Sequence, residues 1–300
     1  MTYLCALPGV GQHKRSTVKN QPLILVTIGL LATAALFFFG RTAVPRSNVA
    51  VAAPSAAAPV FNIQAFVDSA KTKLTPQQSL YVSKLENGIS RGDVPAQQLQ
   101  ALESLALFWK DSAKLFEPYA HYTYEATKLD NSEKKLTFAA QLFLQAVRGE
   151  HDQAKLAWQT RSAIELFEKA IKLNPNSDDL KIGLGSSYIF GTGRTGDPQQ
   201  TMRGIQELLS VVRKDSTNMR AQFVLGVGGY VSAQYDKAIE RFTKVVTAQP
   251  DNMEAIAFLA DTYAAKGDKA NAVKWYNISK RLANNPLYSK EVDERIKMLK

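Results

Sequence analysis

One spacing of small and aromatic residues, Ala-x₃-Phe-x₂-Ala-x₄-Pro, recurs along the C-terminal half of this chain and constrains its fold more than anything else. It appears as Ala163, Phe167, Ala170 and Pro175, returns as Ala238, Phe242, Val245 and Pro250, and partly again as Ala272, Tyr276 and Ser279. The step from Ala238 to Ala272 is 34 residues, the period of a helix–turn–helix unit. A small residue at one phase lets two helices approach closely, and the aromatic fills the gap to the next pair. One such pair cannot bury its apolar face alone, so neighbours must stack into a solenoid. The expected chain is all-α and built as a recognition surface.

A second signature runs at the same phase: a large apolar residue, Leu-Gly, then an aromatic three positions on. Leu184, Gly185 and Tyr188 satisfy it once. Leu225 and Gly226 satisfy it next, with Gly229 where the aromatic is expected and Tyr230 one place late. Ile256, Leu259, Ala260 and Tyr263 satisfy it a third time. Leu184 to Leu225 is 41 residues, so one repeat carries a seven-residue insertion between its helices. With both signatures in frame over 160–286, and more weakly over 95–159, the chain resembles the tetratricopeptide repeat family. The resemblance implies a right-handed superhelical solenoid of helical hairpins, with repeats at 133–177, 178–218, 219–252 and 253–286.

Weaker copies extend upstream. Leu136, Ala139, Ala140 and Phe143 suit a first helix whose partner begins near Ala163, after an insertion around 149–158. Leu102, Leu105, Ala106 and Trp109 pair with Ala120 and Tyr124, with Pro118 interrupting or starting the second helix. Thr75-Pro76-Gln77-Gln78 reads as an N-cap, a proline at the first helical position and a capping-box glutamine. Residues 61–132 are therefore expected to hold degenerate hairpins. At the other end Tyr288, Val292, Ile296 and Leu299 share one helical face, the pattern of a capping helix over 287–300.

The N-terminus carries a different signal. Residues 23–39 are apolar and uncharged, close to the lower limit of about 17 residues for a helix that crosses a bilayer. His13, Lys14, Arg15 and Lys19 precede this stretch; Arg41 and Arg46 follow it. The expected layout is a cytosolic segment at 1–21, a transmembrane helix at 22–40, an Ala/Pro-rich linker at 41–60 and the repeats beyond the membrane. That places the chain in a bacterial inner membrane, single-pass, with its repeat domain periplasmic. The rival reading is a signal peptide cleaved near Ala50-Val51-Ala52, but Arg41, Pro45 and Arg46 separate that site from the apolar stretch.

The net charge of +10 divides unevenly. Residues 1–60 hold five Lys/Arg and no Asp or Glu, so half the excess belongs to the anchor flanks and linker. The helical part shows no concentrated basic face, and nucleic acid is not an expected partner. The single cysteine, Cys5, excludes an internal disulfide.

Motifs for chemistry are few. Residues 191–196 spell Gly-Thr-Gly-Arg-Thr-Gly, but a dinucleotide fingerprint needs a preceding strand. Here a repeat helix precedes it and Asp197-Pro198-Gln199-Gln200 starts the next. An exposed interhelical loop is expected, with Arg194 and free backbone amides as a place for an anion or a partner's carboxylate. His13, His121 and His151 lack metal-ligand spacing. Tyr119, Tyr122 and Tyr124 are expected to pack between hairpins. Asn277-Ile278-Ser279 matches a glycosylation sequon inside a predicted helix. No enzyme activity, metal or cofactor is expected.

In repeats resembling these, ligands lie in a concave groove lined by positions two, five, nine and twelve of the first helices. The implied residues are Asp179, Ile182, Ser186 and Ile189; Arg220, Phe223, Val227 and Tyr230; and Glu254, Ala257, Asp261 and Ala264. The mixture of aromatic, apolar and charged groups suits an extended or helical peptide of a protein partner. The Lys and Asn that clamp a terminal carboxylate in some family members are missing. The implied function is a membrane-anchored scaffold for assembly, secretion or envelope maintenance; the alternative is a self-associating structural protein.

Overall fold

Helices alternate with short connections along the described residues, which are 60–91, 94–195 and 197–299 of a computed structural model. These residues lie in one unit, Ala57–Lys300. The predicted membrane span and most of the linker lie outside them. No helix among the described residues is long and apolar enough to cross a membrane.

The first helices are α1 (Ile63–Lys71), α2 (Pro76–Arg91) and α3 (Pro95–Leu107). A π-helical turn at Phe108–Ser112 leads to α4 (Phe116–Leu129). Four hairpins follow: α5 (Glu133–Gly149) with α6 (Gln153–Leu173), α7 (Asp178–Phe190) with α8 (Pro198–Lys214), α9 (Met219–Val231) with α10 (Tyr235–Ala248), and α11 (Met253–Lys266) with α12 (Lys269–Ala283). Helix α13 (Pro286–Met298) closes the series, and no strand occurs among the described residues.

The helix starts follow from side-chain chemistry. Thr75 Oγ1 accepts from the Gln78 amide at 3.3 Å while Gln78 Oε1 accepts from the Thr75 amide at 3.0 Å, a reciprocal capping box. Ser132, Ser177, Asn218 and Asn252 each accept a backbone N–H at the start of α5, α7, α9 and α11. Every first helix of the four hairpins thus begins on a polar cap, worth about 1 kcal/mol each. Pro118 stands in the first turn of α4, where its missing N–H breaks no helical bond.

The recurring Ala/Phe positions form the core. Ala163, Phe167 and Ala170 are buried, as are Ala238, Phe242 and Val245, and Ala272, Tyr276 and Ser279. A Cβ added to Gly226 would fall 2.6 Å from the Phe242 ring. That close approach accounts for glycine at this position, because the aromatic of the second helix sits directly on the backbone of the first; at Gly185 the side chain of Leu208 approaches in the same way, 2.7 Å from an added Cβ. Each hairpin packs within itself and against its neighbours, and the first helices α5, α7, α9 and α11 also touch in succession. Val292 of α13 is buried against Ala260, Ala272 and Tyr276, with Tyr288, Ile296 and Leu299 beside it.

One expectation needs correcting. The stretch around 149–158 is not an inserted loop: α6 starts at Gln153 and runs 21 residues. Asp152 caps it by accepting from the Lys155 amide at 2.9 Å, and Leu156, Gln159 and Thr160 are buried. The extra residues lengthen the second helix by turns that find their own core.

Candidate functional site

The four first helices turn one edge toward a common cavity of about 370 Å³. Ile182 and Ser186 of α7, Arg220 and Phe223 of α9, and Glu254 of α11 line it. Five of the twelve groove positions implied by the repeat frame therefore converge on one space. Helix α5 contributes Gln141, Leu144, Gln145 and Arg148. Gln141 and Leu144 occupy positions nine and twelve of the 133–177 repeat, so carrying the frame one repeat upstream would have found them. Arg148 lies beyond those positions and only the fold reveals it.

Charge in the cavity is organised in pairs. Arg148 of α5 pairs with Glu254 of α11, 106 residues away, joining the first and fourth hairpins across the opening. The Arg148 guanidinium also lies 4.6 Å from the Phe190 ring centroid, a cation–π contact that orients it. Arg220 pairs with Asp179 at 2.5 Å. Both pairs are substantially solvent-exposed, so each contributes at most about 1 kcal/mol and can open readily.

Other implied positions are taken up wholly or mainly by packing. Ile189 and Val227 are fully enclosed and belong to the core. Phe223 lines the cavity but is only 9% exposed; its ring lies 5.8 Å from Phe242 and 5.7 Å from Phe258. It is a packing residue with one edge showing. Tyr230 contacts Phe258 at 6.0 Å and Tyr235 at 6.3 Å. Burial first, then the charge of Asp261, hold its phenol above the ordinary value. Asp261 accepts from the Tyr276 hydroxyl at 2.5 Å and from Arg295 at 3.0 Å, tying α11 to α12 and α13. Ala257 and Ala264 are half-buried outside the cavity lining.

The glycine-rich loop does something the sequence did not suggest. Thr192–Thr195 forms a 3₁₀ turn. Arg194 reaches back to the preceding hairpin and donates to the carbonyls of Val147 at 2.9 Å and Glu150 at 2.8 Å. These belong to the C-terminus of α5, whose last carbonyls lack helical partners. The expected anion site on Arg194 is therefore corrected: its guanidinium is a C-terminal cap for α5.

The tyrosines at 119, 122 and 124 link elements. Tyr122 donates to Glu86 of α2 at 2.7 Å, and Tyr124 to Glu165 of α6 at 2.8 Å. Burial pushes the His121 imidazole below its ordinary value. Among the described residues no group of His, Cys, Asp and Glu is arranged to hold a metal ion. Ser279 of the glycosylation-like sequon is fully buried.

Residues 230–286 match the family model described as the tetratricopeptide repeat. No curated protein matches the chain. Among solved structures, the crystal structure of MamA protein is 18% identical, covering 63% of this chain and 93% of its own, with a TM-score of 0.45. TTC0263, a thermophilic TPR protein of Thermus thermophilus, is 15% identical over 67% of this chain and 98% of its own, with a TM-score of 0.49. YrrB, described as a TPR protein with an unusual peptide-binding site, is 15% identical over the same shares, with a TM-score of 0.44. At these identities and scores the likeness says nothing about function.

Proposed function

We propose that this tetratricopeptide-repeat protein is a membrane-anchored, non-enzymatic scaffold that holds a segment of a protein partner in the cavity lined by its first helices. The observation that carries this reading is the convergence of Ile182, Ser186, Arg220, Phe223 and Glu254 on one space, together with Gln141, Leu144, Gln145 and Arg148. Apolar surface beside amide and guanidinium groups suits a peptide that places a side chain in a pocket while its main chain finds hydrogen bonds. The 23–39 stretch would tether the repeats to a bacterial inner membrane, on its periplasmic side, where the scaffold supports assembly, secretion or envelope maintenance.

The test uses positions that line the cavity without supporting the core. A photo-cross-linking residue at Gln145, in the full chain in membranes, is expected to capture the partner. Arg148→Ala with Arg220→Ala should weaken that capture about tenfold, equivalent to about 1.4 kcal/mol. Capture that ignores both substitutions, or that occurs only from the opposite, second-helix face, would overturn the reading.

A further inference from the structure

Arg148 and Glu254 meet across the mouth of the first-helix cavity, and both line it. The helices that carry them, α5 and α11, are not packed against each other. The row of first helices runs between them through α7 and α9, and α9 touches α11 only lightly. Helix α11 is held mainly by the second helix α10, where Phe258 stacks on Phe242 with ring centroids 5.6 Å apart. The separation of α5 and α11 is therefore the sum of small rotations at successive interfaces, and one ion pair spans it.

The two side chains are placed so that the pair can part without stranding either charge. Arg148 is 42% exposed and Glu254 48%, so water solvates both as they separate. Arg148 keeps the Phe190 ring beneath its guanidinium. Glu254 stands in the first turn of α11, where the helix dipole favours a carboxylate. Arg220 differs, because its partner Asp179 lies on α7, and α7 and α9 are already packed together. Parting that pair leaves the mouth unchanged.

We propose that the Arg148–Glu254 pair is an ionic gate on this cavity. Closed, it ties the first hairpin to the fourth and restricts entry. Open, it lets the mouth widen for an extended segment. Its closure weakens as salt screens the pair. The gate's role in recognition rests on the cavity being the partner's seat, but the gate itself can be read without a partner.

The experiment follows entry through Ser186, which lines the cavity and is only 5% exposed. The full chain in detergent, carrying Cys5→Ala and Ser186→Cys, is labelled with a neutral maleimide. Gln77→Cys, at an exposed position of α2, gives the reference rate. Raising sodium chloride from about 0.02 M to about 0.5 M should speed labelling at 186 by up to about fivefold, the most that an exposed pair's stability allows. Arg148→Glu should label quickly at both salt concentrations, because two carboxylates then face each other. Combining Arg148→Glu with Glu254→Arg should restore the slow, salt-sensitive rate. A rate at 186 that ignores both salt and charge reversal overturns the gate, as does a reversed pair that stays fast. Either result leaves the cavity's binding role standing, whereas failed capture at Gln145 would remove that role and leave the gate.

Discussion

Replacing Arg194 by alanine tests whether the glycine-rich loop is structural. The side chain makes two charge-assisted hydrogen bonds, to Val147 O at 2.9 Å and Glu150 O at 2.8 Å. Bonds of this type contribute about 1.5–3 kcal/mol when buried, and a cation at a helix C-terminus adds about 0.3–1 kcal/mol when exposed. Arg194 is exposed, and only the Val147 bond is part-buried. The low end therefore applies, and Arg194→Ala should cost about 1–2 kcal/mol. For a domain of this size each kcal/mol lowers the melting temperature by about 2–4 °C, so a fall of roughly 2–8 °C is expected by circular dichroism. Hydrogen exchange should locate the loss at the end of α5 and the start of α6, because contacts in an array are between neighbours. Arg194→Lys should recover part of it, since an ammonium keeps the charge but not the fork. An unchanged melting temperature, or protection lost at α11 and α12 instead, would refute the capping role.

Two further outcomes follow from the packing and from the N-terminus. Ala238 is fully buried and faces the backbone of α9, so Ala238→Leu should overpack that contact by about 1–3 kcal/mol; a melting temperature equal to that of the unsubstituted protein would contradict the repeat frame. The intact chain should remain in membranes after carbonate extraction if 23–39 anchors it, whereas a mature N-terminus near Ala53 by mass spectrometry would show cleavage.

The repeat frame was legible because its causes are local. Ala163, Phe167 and Ala170, and their counterparts two and three repeats on, are mostly small or aromatic for contacts within one hairpin or with the next. Capping residues such as Thr75, Asn218 and Asp197 act within three residues of themselves. The stretch before Ala163 was harder to read, because turn-like Gly149 and Asp152 hid a helix start that α6 uses to extend its core.

What the sequence determined by itself is the stacking of all-helical hairpins, since period and phase express nearest-neighbour packing. Which groove residues face open space was decided only in three dimensions. Phe223 is at groove phase, but the ring of Phe258, from the following hairpin, closes over it. Arg148 and Glu254 carry no mutual signal across 106 residues, and Arg194 finds its carbonyls 47 and 44 residues back. Such contacts depend on how small rotations between successive hairpins accumulate, and that sum is set by the packing of every interface along the array.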